Sequence, residues 1–275
     1  MEAEAPKNQA AAKVLPLKDR LCKDLKCGGG PRPSHKEFYE AYEFVQILRK
    51  VFKTKETLID VCGSHGIVAM LSIILRLCKN SVVVDIHKPV TFEAMLTKRW
   101  KEYFPIQTRE AVPLVRFDER PLDEALPEIL ECIENPNSAL VVGCHACQHL
   151  SEQIIVYAAR HCVDVAVMPC CHADRDGRYK SAAAAVIQGG IPLSAAMDLV
   201  MMGRMVEMGY RTSLRVISER ITPHNRVLTG KWESVEDKTK REDSVLGTAD
   251  TKLRKAYGRV HTAGLRDRAE RRAAA

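Results

Sequence analysis

Long hydrophobic runs are missing from this 275-residue chain. The longest apolar stretch, Ile67 to Leu77, is broken by Ser72 and Arg76 and is too short to cross a bilayer. The opening "MEAEAPKNQAAAKVLPLK" lacks the continuous apolar stretch of a secretory signal, and its early Glu2 and Glu4 argue against a mitochondrial presequence. Aromatic residues are sparse, at 5%. These absences give the expectation of a cytoplasmic protein, with the nucleus as the alternative, and no membrane partner. In such a compartment the ten cysteines read as thiols, ligands or core fillers before disulfides.

What is present suits an ordinary soluble enzyme. A hydrophobic share of 46% can fill the core of one large domain. The net charge of +7 is placed unevenly. Residues 1–36 carry eight Lys/Arg against four acids, residues 233–275 carry eleven against eight, and the remaining 23 of each sign cancel. Residues 1–33, ending in "CGGGPRP", read as a flexible basic arm, residues 34–232 as the folded domain, and residues 233–275 as a charged, disordered tail. Basic tails add salt-sensitive attraction to nucleic acid or merely keep the termini solvated.

From Ser34, a suitable N-cap, Phe38, Tyr42, Val45, Leu48 and Phe52 follow at helical spacing. Then strands and helices alternate. Apolar runs at 57–62, 81–86, 111–117, 138–144 and 163–169 read as strands. Helices are expected over 66–78, 91–103 and 122–134, and a fourth is capped by Ser151. Uniformly apolar strands separated by helices imply a parallel sheet covered on both faces. A further helix over 194–208 ends at Gly209, and "YRTSLRVIS" and "NRVLTGKW" follow as two strands with a link too short for a helical crossover. The fold class is α/β: a Rossmann-like, doubly wound, mostly parallel seven-stranded sheet with a final antiparallel pair.

Ligands of such sheets bind beyond the carboxyl ends of the strands. The turn after the first strand is "DVCGSHG", where Gly63 and Gly66 permit tight turning and close approach of a ligand. Asp85 closes the second strand, 22 residues after Gly63, the offset of a carboxylate that accepts from ribose hydroxyls. The turn does not match G-x-G-x-x-G, and Asp60 just before it suits a cationic ligand better than a phosphate.

These features resemble the class I S-adenosylmethionine-dependent methyltransferases, whose D-x-G-x-G-x-G motif corresponds here to Asp60, Cys62, Ser64 and Gly66. "VVGCHACQHLSEQ", "VAVMPCCH" and "ITPHNRVLTG" extend the resemblance to a group with H-A-C after the fourth strand and P-C-C-H after the fifth. That group is similar to bacterial methyltransferase-domain proteins and to eukaryotic tRNA 2′-O-methyltransferases. The resemblance covers residues 56–232 and implies S-adenosylmethionine as cofactor, held by Asp60, Gly63, Gly66 and Asp85, with Asp118 accepting from the adenine amino group. It implies RNA as substrate, through a tRNA ribose hydroxyl, with a small-molecule or protein acceptor as the alternative. Two of the three motif glycines are replaced, which also admits a non-catalytic binding protein on the same fold.

Two Cys/His clusters, "CHAC" (144–147) and "PCCH" (169–172), end the fourth and fifth strands. A zinc site, a disulfide, a redox centre and the rim of a cofactor pocket each fit them. Zinc is disfavoured because His145-Ala146 close a buried strand and the adjacent Cys170 and Cys171 point apart if extended, so no metal is assigned. As a rim, the clusters offer His145 and His172 to orient an acceptor or take its proton, with Asp198 as a further base.

Overall fold

The computed structural model describes residues 15–26, 31–105, 114–147, 149–170, 184 and 188–233. Its centre is one sheet of seven strands in the order β3-β2-β1-β4-β5-β7-β6. The strands are β1 Lys55–Val61, β2 Cys78–Val84, β3 Val115–Asp118, β4 Ala139–Cys144, β5 Asp164–Met168, β6 Tyr210–Val216 and β7 Arg226–Trp232. β1 to β5 run parallel, and β7 is antiparallel to both of its neighbours, β5 and β6. This is the expected doubly wound sheet with its closing antiparallel pair. The order turns back between β1 and β4, where a crevice opens at the strands' carboxyl ends.

Strand residues alternate between two cores because both faces are covered. Leu58, Leu140 and Val142 face one core, with α2 (His35–Val51) and α3 (Ile67–Ile74). Ile59, Val141 and Val165 face the other, with α5 (Leu122–Glu131), α6 (His149–Arg160) and α7 (Leu193–Glu207). α2 starts with the anticipated cap: Ser34 Oγ accepts from Glu37 N at 3.1 Å, and the Glu37 carboxylate accepts from Ser34 N at 2.6 Å.

Several boundaries differ from the sequence expectation. Part of the expected flexible arm is a docked helix, α1 (Leu17–Asp24), with Leu21 and Leu25 fully buried. Trp100 Nε1 donates to Leu21 O at 3.1 Å and Lys18 pairs with Glu43 at 2.8 Å. The helix expected over 91–103 is broken into α4 (Val90–Ala94), a π-helical turn (Met95–Arg99) and a 3₁₀ turn (Lys101–Tyr103), which together bury Trp100. α6 begins at His149, so Ser151 lies inside it, fully buried, and bonds the Ala146 carbonyl instead of capping. The start of the third strand run, residues 111–113, and residues 234–275 lie outside the described residues. No helix among the described residues is long and apolar enough to cross a membrane.

Candidate functional site

The turn from β1 into α3 takes an unusual path. Cys62, Ser64 and Gly66 have φ of 58°, 44° and 70°, so all three motif positions that are glycine in the resembling family are left-handed here. A left-handed residue with a side chain costs roughly 1–2 kcal/mol, so Cys62 and Ser64 are held by their surroundings. Cys62 N donates to Val84 O at 2.8 Å, and Ser64 N donates to Asp85 Oδ2 at 2.9 Å. Gly63 and Gly66 are required sterically. A Cβ on Gly63 would lie 2.7 Å from Asp60 Oδ2, and one on Gly66 would lie 2.8 Å from the Phe92 ring.

Beside this turn a cavity of about 280 Å³ opens between the N-terminal half of α2 and the ends of β1 and β4. Asp60, Gly63, Cys144 and His145 line it, together with Lys36, Glu37 and Glu40 of α2 and His65 of the turn. Asp60 is 1% exposed; its Oδ2 accepts from Ala69 N at 3.1 Å, and burial pushes its carboxyl up to about 7. Glu40, also 1% exposed, lies 3.0 Å from His145 Nε2 through Oε2 and 3.5 Å from Lys36 Nζ through Oε1. These last two contacts are ion-pair distances without hydrogen-bond geometry. Asp60 Oδ1, Glu40 Oε1 and His145 Nε2 are therefore buried with no hydrogen-bond partner among the described residues. Buried polar atoms are almost always satisfied, so three without a hydrogen-bond partner among the described residues single this cavity out as the candidate site.

His145 has φ 67°, a left-handed histidine held where its N–H donates to Met168 O at 3.1 Å, across to the end of β5. Its carbonyl receives Cys147 Sγ at 3.4 Å and Cys170 Sγ at 3.7 Å, and the two sulfurs lie 2.6 Å apart. The described parts of the two clusters thus meet at His145. Burial is the main cause that raises the Cys62 thiol to about 12 and the Cys144 thiol well above its usual range, with Asp60 adding to both. Both stay protonated at neutral pH and serve as small cavity walls. No three His, Cys, Asp or Glu side chains among the described residues are arranged to hold a metal ion. Cys171 and His172 lie outside those residues.

The structure brings Asp60, Gly63 and His145 to the cavity and gives Gly66 and Asp85 to the turn beside it. Asp118 is elsewhere. Arg120 grips it bidentately at 2.8 and 2.7 Å and holds its carboxyl below the usual range, and it lines a separate cavity against α5. Asp198 is likewise away from the cavity, 2% exposed on α7 and ion-paired to Arg226. Arg226 ends "ITPHNR", and Asn225 Nδ2 closes the same link by donating to Ile217 O at 3.1 Å, so this motif's described contacts are architectural. The sequence reading missed Lys36 and Glu40 and took His65 for an exposed turn residue, whereas it is half-buried in the cavity wall. Glu40 carried a signal, because it extends the i, i+4 row of fully buried Phe44 and Leu48. His65 Nδ1 meets Thr91 Oγ1, and burial lowers its pKa.

No family model matches the sequence, and no curated protein matches it. Solved structures of similar topology include an O-methyltransferase family protein from Burkholderia thailandensis, at 15% identity and TM-score 0.42, covering 71% of this chain and 57% of that one. The B. subtilis M1A22 tRNA methyltransferase TrmK is similar at 8% identity and TM-score 0.42, covering 69% and 65%. M. capricolum TrmK in complex with S-adenosyl-homocysteine is similar at 10% identity and TM-score 0.39, covering 70% of each chain. This chain thus spans less than two thirds of the first two proteins. Likeness at this level assigns no activity.

Proposed function

We propose that this chain is an S-adenosylmethionine-dependent methyltransferase acting on RNA, with a ribose hydroxyl of tRNA as the favoured acceptor. The observation that carries the cofactor is the pair of unsatisfied carboxylate oxygens, on Asp60 and Glu40, buried beside the left-handed turn. They fit the cationic end of S-adenosylmethionine, which supplies an electrophilic methyl group when bound. Lys36 stands beside Glu40 to meet a carboxylate, so helix α2 offers an α-amino acid both of its counter-charges. Asp85 fixes the turn through Ser64 N and is assigned the ribose, while Gly63 and Gly66 let the ligand approach the backbone.

On the acceptor side we assign His145 to orient the hydroxyl and take its proton, with Glu40 stabilising the imidazolium that forms. His172 is the second candidate by its place in the sequence. RNA is supported by the net charge of +7 and by the resemblance of the P-C-C-H group. Residues 34–232 are assigned the catalysis and the two flanking segments an auxiliary role, in the cytoplasm or nucleus.

Radiolabelled methyl transfer from S-adenosylmethionine to total RNA, protein extract and small-molecule extract tests the assignment. Label is expected in RNA. Label confined to either other fraction removes the RNA substrate and leaves the cofactor assignment standing.

A further inference from the structure

Outside the cavity, basic side chains gather among the described residues between the C-terminal end of α2 and the β6–β7 edge of the sheet. A groove of about 280 Å³ there is lined by four cations, Lys50, Arg211, Arg215 and Lys231, and by no carboxylate among the described residues. Strand register explains the clustering. Arg211 lies directly opposite Lys231, and Ser213 opposite Thr229, so all four side chains point to one face. Lys50, Arg211 and Arg215 are exposed, while Lys231 is half-buried, its ammonium 5.9 Å from the Phe52 ring centroid. Lys50, Arg215 and Lys231 have no ion-pair partner among the described residues.

We infer that this groove is the surface on which the protein holds its RNA, through the phosphate backbone and at a distance from the methylated nucleotide. This rests on the RNA substrate proposed above and names the surface that recognises it. Arg211 and Arg215 are separated by about 13 Å along β6, which suits an extended polyanion better than a single phosphate. The arginine forks and the Ser213 and Thr229 hydroxyls are donors to phosphate oxygens. A concave channel with one aliphatic lining residue, Val51, offers an acidic protein little apolar surface to bury and does not present a flat face to a membrane. α2 joins the two sites: Lys36 lines the cavity and Lys50 lines the groove, about 21 Å apart along the helix axis. An RNA that engages both is larger than a nucleoside or a dinucleotide. The acid-walled cavity repels phosphate while the groove attracts it, so the field of the domain orients the RNA before contact.

The test is fluorescence anisotropy of a labelled single-stranded RNA with the full chain, measured without S-adenosylmethionine over a salt series. The double variant Lys50→Gln/Arg215→Gln changes two exposed side chains and is compared with Lys98→Gln/Lys101→Gln, an equal loss of exposed charge elsewhere. With two phosphate contacts removed, the slope of log Kobs against log salt becomes shallower by about 1.4, and affinity at 0.1 M salt falls on the order of 25-fold. The control pair keeps the affinity of the unmodified protein. Unchanged RNA binding by the groove variant overturns the inference, and so does an equal loss in the control pair. Tighter binding to phosphatidylserine vesicles than to RNA, lost in the same groove variant, overturns it in favour of a membrane surface. Because no cofactor is present, failure here leaves the methyltransferase assignment intact, and absence of methyl transfer leaves the groove intact.

Discussion

Asp60 shows how one buried carboxyl couples the stability of the domain to its ligand. Its pKa is about 7 in the fold and about 4 in an unfolded chain. Between those values the folded state binds more protons, so stability falls as pH rises from about 4 to 7, and the whole loss is present above 7. For a fully buried group this is on the order of 4 kcal/mol. Chemical denaturation of the unliganded protein against Asp60→Asn is expected to show the variant gaining stability over the unmodified protein as pH rises through that window. A parallel pH dependence in both proteins would place the ionisation elsewhere. A cationic ligand favours the ionised form, so S-adenosylmethionine affinity should rise through pH 7, with proton release visible as a buffer-dependent heat. Glu40→Gln keeps the shape and removes the charge. It is expected to weaken the cofactor by about 10- to 100-fold, the worth of a charge-assisted hydrogen bond. Unchanged affinity would reassign Glu40 to His145 alone.

At this scale the sequence located residues whose position in the chain already implies their place. Asp60, Gly63 and His145 stand at strand ends and arrive at the cavity because a parallel sheet brings its carboxyl ends together. Asp118 and Asp85 look alike in sequence, yet an arginine two residues on engages Asp118 while Asp85 receives a backbone N–H. Side-chain pairing of that kind has no periodic signature. Glu40 was hidden for another reason: its burial comes from docking α2 against the turn after β1.

Among the elements, the turn from β1 to α3 shows how the replaced glycine positions are built. Cys62 and Ser64 hold the left-handed conformation that glycine takes at least cost. Gly66 has no such latitude, since it is left-handed and packed on Phe92. Gly66→Ala is expected to lower unfolding free energy by about 2–3 kcal/mol and to weaken the cofactor. A melting temperature and affinity like those of the unmodified protein would show that the turn is looser than drawn. α1 is the element least legible in sequence. Its eight residues follow a charged, Ala-rich stretch, and only tertiary contact with Trp100 and α2 reveals that Leu21 is core. Leu21→Ala should cost about 3 kcal/mol in denaturant unfolding, whereas a flexible arm would give no change. The strand pattern was legible because both faces of the sheet are buried, leaving continuous apolar runs that only a parallel sheet accommodates.

Across the whole molecule, a domain with balanced charge proves to be polarised. The sequence count of 23 basic and 23 acidic residues suggested a neutral core. Folding gathers Glu37, Glu40 and Asp60 at one end of α2 and Lys50, Arg211, Arg215 and Lys231 at the other. Composition cannot show this, because the groups come from strands and helices far apart in the chain. The acidic end is where the cofactor assignment stands or falls. Titrating the full chain with S-adenosylmethionine in a calorimeter at about pH 8, roughly one unit above the Asp60 pKa, tests it directly. Saturable binding of one ligand per chain, weakened in Glu40→Gln, is the expected result, and no heat of binding at millimolar ligand contradicts it.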